Sequence, residues 1–364
     1  MWKMKIGILT YHHVFSQGAH LQAFALQEIL KSMHHEVSII DYRGNAYSPM
    51  SVIDVFKSLN PYVLASHYNR YVGLKKFGEF ESNFNHTRIY IDGEALKDNS
   101  PQFDAIVVGS DQVWQLRTFK DGSRYDKTYF LDFATDGIRK IAYAPSFGHA
   151  LNEERIAEVL PLIKTFDFLS VREDCAAKRL SELINRTVEN VCDPTLLFGR
   201  EGFDKNIPTE RIADGRVFVF KLSWNYKRNL LVANKLRKKF GTMEIESRPL
   251  RAIRSGFNVI DSPFDWVRRI RDAQFVLTDS FHGTVFSILY HKPFIFLPWS
   301  NEEQNLRIKS LLSRCGLLEF VFKDSESVDD QVNRAQAYDN WTSVDREICA
   351  WRESSRLFLE KALS

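Results

Sequence analysis

Four cysteines in 364 residues, Cys175, Cys192, Cys315 and Cys349, share no CxxC spacing, so neither a zinc site nor a disulfide framework is indicated. A reducing compartment is the simplest reading. Charge of one sign is missing too: 49 basic against 46 acidic residues leave +3, no mandate for nucleic acid or a strongly anionic surface. A small anionic ligand needs only a local cluster. No apolar run approaches membrane-spanning length, and the chain runs directly into a strand without a hydrophobic leader or cleavage site. A cytoplasmic protein with no integral membrane segment is expected. Glycine is scarce where a dinucleotide fold needs it, since the first turn reads Gln17-Gly18-Ala19 in place of GxGxxG, which argues against NAD.

What is present is a succession of buried strands and amphipathic helices in a chain too long for one comfortable core. Lys5 to Tyr11 is a near-continuous apolar run, as in a parallel sheet covered on both faces. A polar loop, His12 to His20, a helical pattern over Leu21–Leu30 and a strand over Glu36–Tyr42 complete a βαβ unit. Between Tyr47 and Asn85 the spacing is helical, and its aromatics (Phe56, Tyr62, Tyr68, Tyr71, Phe77, Phe80, Phe84) read as core or as a cover over a cleft. Further strands are expected over Phe103–Val108, Arg139–Ala144, Phe168–Glu173 and Val188–Asp193, with helices over Asn152–Phe166 and Cys175–Ile184.

Two strand ends in this half carry polar clusters. Phe103–Val108 runs into Gly109-Ser110-Asp111-Gln112-Val113-Trp114, in which a carboxylate and an amide can grip hydroxyls while an indole covers a sugar's C–H face. Asp111 alternatively caps a helix, and the two roles can coexist. Arg172 leaves its strand as a fixed cation, suited to clamping phosphate or carboxylate unless Glu173 or Asp174 pairs with it.

Periodicity weakens from Asp193 to Arg216, which sets the domain organisation at 1–195 for an N-terminal α/β domain, 196–342 for a C-terminal α/β domain and 343–364 for a helix packing across the junction. The second series contains strands over Val217–Lys221, Met243–Glu246 and Phe294–Pro298 and helices over Asn225–Phe240, Phe264–Asp272 and Asn301–Cys315. At its centre, Gln274–Leu277 reads as a buried strand that breaks into Thr278-Asp279-Ser280-Phe281-His282-Gly283-Thr284 and then a helix ended by Pro293. Ser280 and Asp279 are capping residues, and a helix start at the carboxyl end of a parallel strand favours an anion. His282 sits on that rim, either as a hydrogen-bonding support or as a proton shuttle.

In order and spacing, Ala19-His20-Leu21-Gln22-Ala23, Gly109-Ser110-Asp111-Gln112-Val113-Trp114, Ser170-Val171-Arg172-Glu173, Cys192-Asp193-Pro194-Thr195 and Thr278–Thr284 resemble the polysaccharide pyruvyl transferase family over nearly the whole chain. The resemblance implies a GT-B-like α/β fold of two doubly wound Rossmann-like domains with a cleft between them and a C-terminal helix crossing back. It implies phosphoenolpyruvate as donor and a hexose of a bacterial surface or capsular glycan as acceptor, receiving a pyruvate ketal. Ketal formation from an enol phosphate requires no metal, and no further cofactor is expected. Several members carry Arg-x-His where this chain has Ser280-Phe281-His282, so donor charge must be met by Arg172, Lys221 or the group Arg248, Arg251 and Arg254. The site expected on this basis has His282 and Asp111 as catalytic groups. Arg172, Ser280, Gly283, Thr284, Lys221 and Gly18 lie on the donor side, and Gln112 and Trp114 on the acceptor side. A glycan or lipid-linked sugar is the expected partner, with room for peripheral membrane contact but not nucleic acid. The rival readings are a nucleotide-sugar glycosyltransferase and a non-catalytic glycan-binding protein.

Overall fold

A computed structural model of the chain describes residues 3–44, 61–116, 125–148, 153–211, 216–221, 226–241, 243–247 and 261–364. Among them, six strands form one parallel sheet and four form another. The chain separates into two compact units, one comprising 1–48, 81–198 and 348–364, the other 49–80 and 199–347.

In the first unit the sheet is ordered β2-β1-β3-β4-β5-β6, with β1 Lys5–Leu9, β2 Glu36–Ile39, β3 Ala105–Val108, β4 Arg139–Ala142, β5 Phe168–Val171 and β6 Glu189–Asn190. Every pairing is parallel, with Ile6 opposite both Val37 and Ala105 and Val108 opposite Ala142. The central strand Ala-Ile-Val-Val is buried at every position, because parallel strands are covered by helices on both faces. Helix α1, Gln17–Ser32, begins four residues earlier than its apolar pattern because the Ser16 side chain accepts a hydrogen bond from the Ala19 amide, which draws part of the expected loop into the helix. The core of this unit gathers Trp114, Phe130, Phe147 and Phe166, and the Trp114 indole stacks on Phe130 at 5.3 Å.

Helix α2, Pro61–Glu81, confirms the helical spacing there, and Phe77, Phe80 and Phe84 are buried. Phe56, and the side chains of Tyr62 and Tyr68, lie outside the described residues. Further helices are α3 (Gly93–Asp98), α4 (Glu153–Ile163), α5 (Asp174–Ile184) and α6 (Pro194–Phe203), the last broken at Gly199.

In the second unit the sheet order is β10-β9-β7-β8, with β7 Val217–Lys221, β8 Met243–Ser247, β9 Phe275–Thr278 and β10 Phe294–Phe296, all parallel. Its helices are α7 (Tyr226–Phe240), α8 (Pro263–Asp272), α9 (Phe281–Leu289), α10 (Glu302–Arg314) and α11 (Val328–Ala337); α12, Trp341–Ala362, begins in this unit and belongs to the first from residue 348 onward. Helix α9 stops at Leu289, ahead of Pro293, because Tyr290 and His291 take capping geometry and their amides bond back to Phe286 and Ile288.

Each sheet reverses its strand order once, between β1 and β3 in the first and between β7 and β9 in the second. Open parallel sheets bind ligands outside the carboxyl ends of the strands at such points. Among the described residues no helix is long and apolar enough to cross a membrane.

Candidate active site

At the first reversal the strand ends are laced together by buried polar groups. Gln22, on α1, donates to the Thr10 hydroxyl at 2.9 Å and accepts from the Ser110 amide at 3.1 Å, joining the ends of β1 and β3. Gly109 is required here, since its φ is +105° and a Cβ would stand 2.3 Å from the Tyr143 carbonyl oxygen. Ser110 donates to Asp193, which also accepts from Arg172 at 2.9 Å and from the Thr195 hydroxyl at 2.6 Å. Arg172 is only 3% exposed and Asp193 fully buried. Burial works against the Arg172 charge, but Asp193, then Glu173 and Asp111, outweigh it and hold the guanidinium above its ordinary range. Asp193 is thus a buried ion-pair partner of Arg172, and the pair binds β5 to the turn after β6.

Asp111 caps no helix, because residues 111–114 form turns. It takes a left-handed conformation, φ +62°, with Oδ1 accepting from the Gln112 amide at 2.8 Å, and it remains half-exposed beside a half-buried Gln112. The expectation for Trp114 is corrected. Its ring is fully buried and its indole N–H donates to the Tyr129 carbonyl at 2.9 Å, so it anchors the core and presents no face to a sugar. Gly18 lies buried in the first turn of α1.

Sequence reasoning missed a string of charged groups at the same edge. The ring of His12 faces the Thr10 carbonyl and the Asp41 carboxylate, each at 3.0 Å, and that of His20 faces the Ser16 carbonyl at 3.0 Å and Glu81 at 3.3 Å. Arg43 bridges the two carboxylates, 2.8 Å from Asp41 Oδ2 and 3.6 Å from Glu81. Burial alone would raise Asp41, yet its hydrogen bonds from His12 and Arg43 pull it below the carboxylate range. Against burial, His20 and Arg43 do the same for Glu81. His13 is pushed down to about 3 by burial, then by His12 and Arg43, against the opposing pull of Asp41 and Glu81. The signal available was His12-His13 within four residues of the end of β1 and Asp41 two residues after the end of β2.

In the second unit, β9 ends at Thr278 and Ser280 caps α9. The Ser280 hydroxyl accepts from the Gly283 amide at 3.3 Å, and its carbonyl accepts from the Thr284 amide and hydroxyl, both at 3.0 Å. The Gly283 and Thr284 amides, expected to hold donor oxygens, are thus committed inside the turn. Gly283 is dictated by packing, since a Cβ there would lie 2.3 Å from the Thr278 hydroxyl. His282 is 8% exposed at the positive end of α9, its ring edge-on to Phe281 at 5.2 Å. The guanidinium carbon of Arg307, on α10, lies 5.8 Å from the Phe281 ring centroid, a cation at this helix start that sequence spacing did not reveal. Trp299 donates its indole N–H to the Asp279 carbonyl at 2.8 Å, fastening the turn to the end of β10. Lys221 ends β7, beside β9. Its side chain, and Arg248, Arg251 and Arg254 altogether, lie outside the described residues. Among the described residues, no group of three or more His, Cys, Asp or Glu is placed to hold a metal ion.

The fold is α/β and GT-B-like. The chain resembles an S. aureus MnaA–UDP structure at 10% identity and TM-score 0.53, over 94% of this chain and 90% of that one. It also resembles an alpha-glucosyltransferase in complex with UDP and a 13-mer DNA, at 13% identity and TM-score 0.52, over 98% and 95% of the two chains. These likenesses carry the fold alone. No curated protein matches the sequence. The family model for polysaccharide pyruvyl transferase matches residues 18–301, and the chain belongs to that family.

Proposed function

We propose that the protein transfers the pyruvyl group of phosphoenolpyruvate to two hydroxyls of one hexose in a bacterial surface or capsular glycan, forming a pyruvate ketal and releasing phosphate. The observation that carries this reading is the family match over residues 18–301, which includes both the Asp111 turn and the His282 helix start. The first hydroxyl oxygen bonds to C2 of the donor while the methylene carbon takes a proton and becomes a methyl group. The second hydroxyl oxygen then displaces phosphate, and its proton leaves with the phosphate. Two hydroxyl protons are thus accounted for, one in the methyl group and one in hydrogen phosphate.

His282 is the group that hands the proton to the methylene carbon. Dipole alignment in α9 and the Arg307 cation favour donor anions near it. Asp111, half-exposed and in a left-handed conformation just after β3, activates a sugar hydroxyl, and Gln112 orients the ring. Arg172 belongs to the acceptor-side framework, because a guanidinium already paired with Asp193 holds the Ser110 and Asp111 turn in place. Gly18 and Lys221 complete the donor side. Phosphoenolpyruvate is a co-substrate, the acceptor is a glycan or lipid-linked sugar, and the setting is the cytoplasm.

Incubation of the protein with isotope-labelled phosphoenolpyruvate and simple galactosides tests the reading. Release of phosphate together with a new quaternary ketal carbon is expected. Turnover of UDP- or GDP-sugars in its place would make the protein a glycosyltransferase, and binding without phosphate release would make it a glycan-binding member of the family.

A further inference from the structure

Beside β2 the first unit's sheet is continued by a short extended segment, residues 86–92, whose outer side is open. His86 pairs in parallel with Ile39, and Tyr90 with Tyr42. The Tyr90 amide donates to the Asp41 carbonyl at 2.8 Å and its carbonyl accepts from the Arg43 amide at 2.9 Å, so both of its backbone groups face β2. Peptide groups alternate along an extended chain, and the Ile89 carbonyl and the Ile91 amide therefore point the other way. Among the described residues neither meets a hydrogen-bond partner. Side chains alternate as well. Tyr90 is buried, with its hydroxyl donating to the Asn99 carbonyl at 3.1 Å, while Ile89 and Ile91 are 53% and 63% exposed. An open strand edge carrying two exposed β-branched residues is a template for a further strand.

The strand that fits this edge is the same strand in a second copy of the chain. Arg88-Ile89-Tyr90-Ile91-Asp92 is symmetric about Tyr90 in its apolar residues and opposite in charge at its two ends. Run antiparallel about a two-fold axis at Tyr90, it sets Ile89 against Ile91 of the second copy and Arg88 against Asp92. The Ile91 amide then donates to the Ile89 carbonyl across the axis, and symmetry repeats the bond. Arg88 and Asp92 fall in a pair without backbone hydrogen bonds, where facing side chains come closest. The chain is still extended at Asp92, φ −153° and ψ 176°, whose Oδ1 caps α3 by accepting from the Ala95 amide at 2.7 Å. Arg88 is exposed, its guanidinium carbon 5.1 Å from the Tyr90 ring centroid, and among the described residues no carboxylate pairs with it. We propose that two copies of the chain pair antiparallel along residues 88–92, continuing the first sheet of one into that of the other. Five residues of pairing fall short of the roughly 1,200–2,000 Å² that stable interfaces bury, so the dimer forms and parts with concentration. The pairing is independent of which reaction the protein catalyses.

Sedimentation velocity of the full chain from low to high micromolar concentration tests it, and a monomer–dimer equilibrium is expected. Arg88→Asp and Asp92→Lys should each weaken the dimer tenfold or more, because in either variant like charges meet at both symmetry-related contacts. Mixed in equal amounts, the two variants should associate within about threefold of the wild type, since each copy then offers the charge the other lacks. Hydrogen exchange at the Ile91 amide should slow as concentration rises, while the Tyr90 amide, already bonded to Asp41, stays as it is. Arg88→Asp leaves the cap of α3 in place and decides the matter even if Asp92→Lys does not fold. A chain that stays monomeric throughout, or a dimer that Arg88→Asp does not weaken, would overturn the assignment. So would two folded variants that fail to rescue each other, or an Ile91 amide indifferent to concentration.

Discussion

The carboxyl edges of the two sheets use polar residues in opposite ways. At the first edge, Arg172, Asp193, Ser110 and Thr195 are buried and bonded to one another, and His12, Asp41, Arg43, Glu81 and His20 form a second closed string. At the second edge, the turn before α9 satisfies its own amides through Ser280, and the cations Arg228 and Arg307 lie on aromatic rings at the rim. The lesson is that charge density alone does not mark a ligand site. A guanidinium answered by a buried carboxylate positions the chain, whereas Arg228 and Arg307 are carried on aromatic rings at the rim.

The largest expected effect breaks the first edge. Arg172→Ala leaves the Asp193 carboxylate buried and deprives it of its cation, and should cost about 3–5 kcal/mol in chemical denaturation. A loss below about 1 kcal/mol would mean that the pair is not the framework it resembles. At the second edge the corresponding strain is steric. Gly283→Ala forces a Cβ to within 2.3 Å of the Thr278 hydroxyl and should cost about 1–3 kcal/mol, part of which Thr278→Ala in the same chain restores.

A smaller effect separates the edges by pH. His13 titrates near 3 when folded against 6.5 ordinarily, so between those values the unfolded chain binds a proton that the folded chain refuses. Stability therefore falls as pH drops from 6.5 toward 3. Asp41 and Glu81 are depressed, so their contribution is present above the unfolded carboxylate range and is lost only as pH falls through their lower folded values. His13→Gln should flatten the limb between about pH 6.5 and 4 by at most ~1.4 kcal/mol per pH unit. Urea midpoints followed across that range would show it, and an unchanged slope would remove His13 from the account.

How much of this was legible in the sequence follows the range of the interactions. Apolar runs located the strands, since burial on both faces leaves a local signature. Helix starts were less visible, because a cap is set by one side chain: Ser16 begins α1 ahead of its apolar pattern. The Asp111 turn and the His282 helix start were both placed correctly at strand ends, yet the partners of their neighbours were not. Trp114 looked like a sugar platform, but its buried indole N–H donates to the Tyr129 carbonyl, and Asp193, which pairs with Arg172, lies 21 residues further on. The Gly283 and Thr284 amides read as anion donors because nothing in a linear motif says that Ser280 already holds them.

The central claim is that His282, at the second edge, hands the proton to the donor's methylene carbon. Phosphate release from phosphoenolpyruvate in the presence of a galactoside acceptor, compared between the wild-type chain and His282→Ala, tests it directly. A drop of a hundredfold or more, about 3 kcal/mol, with unfolding unchanged is the predicted result. Full activity in the His282→Ala protein would contradict it.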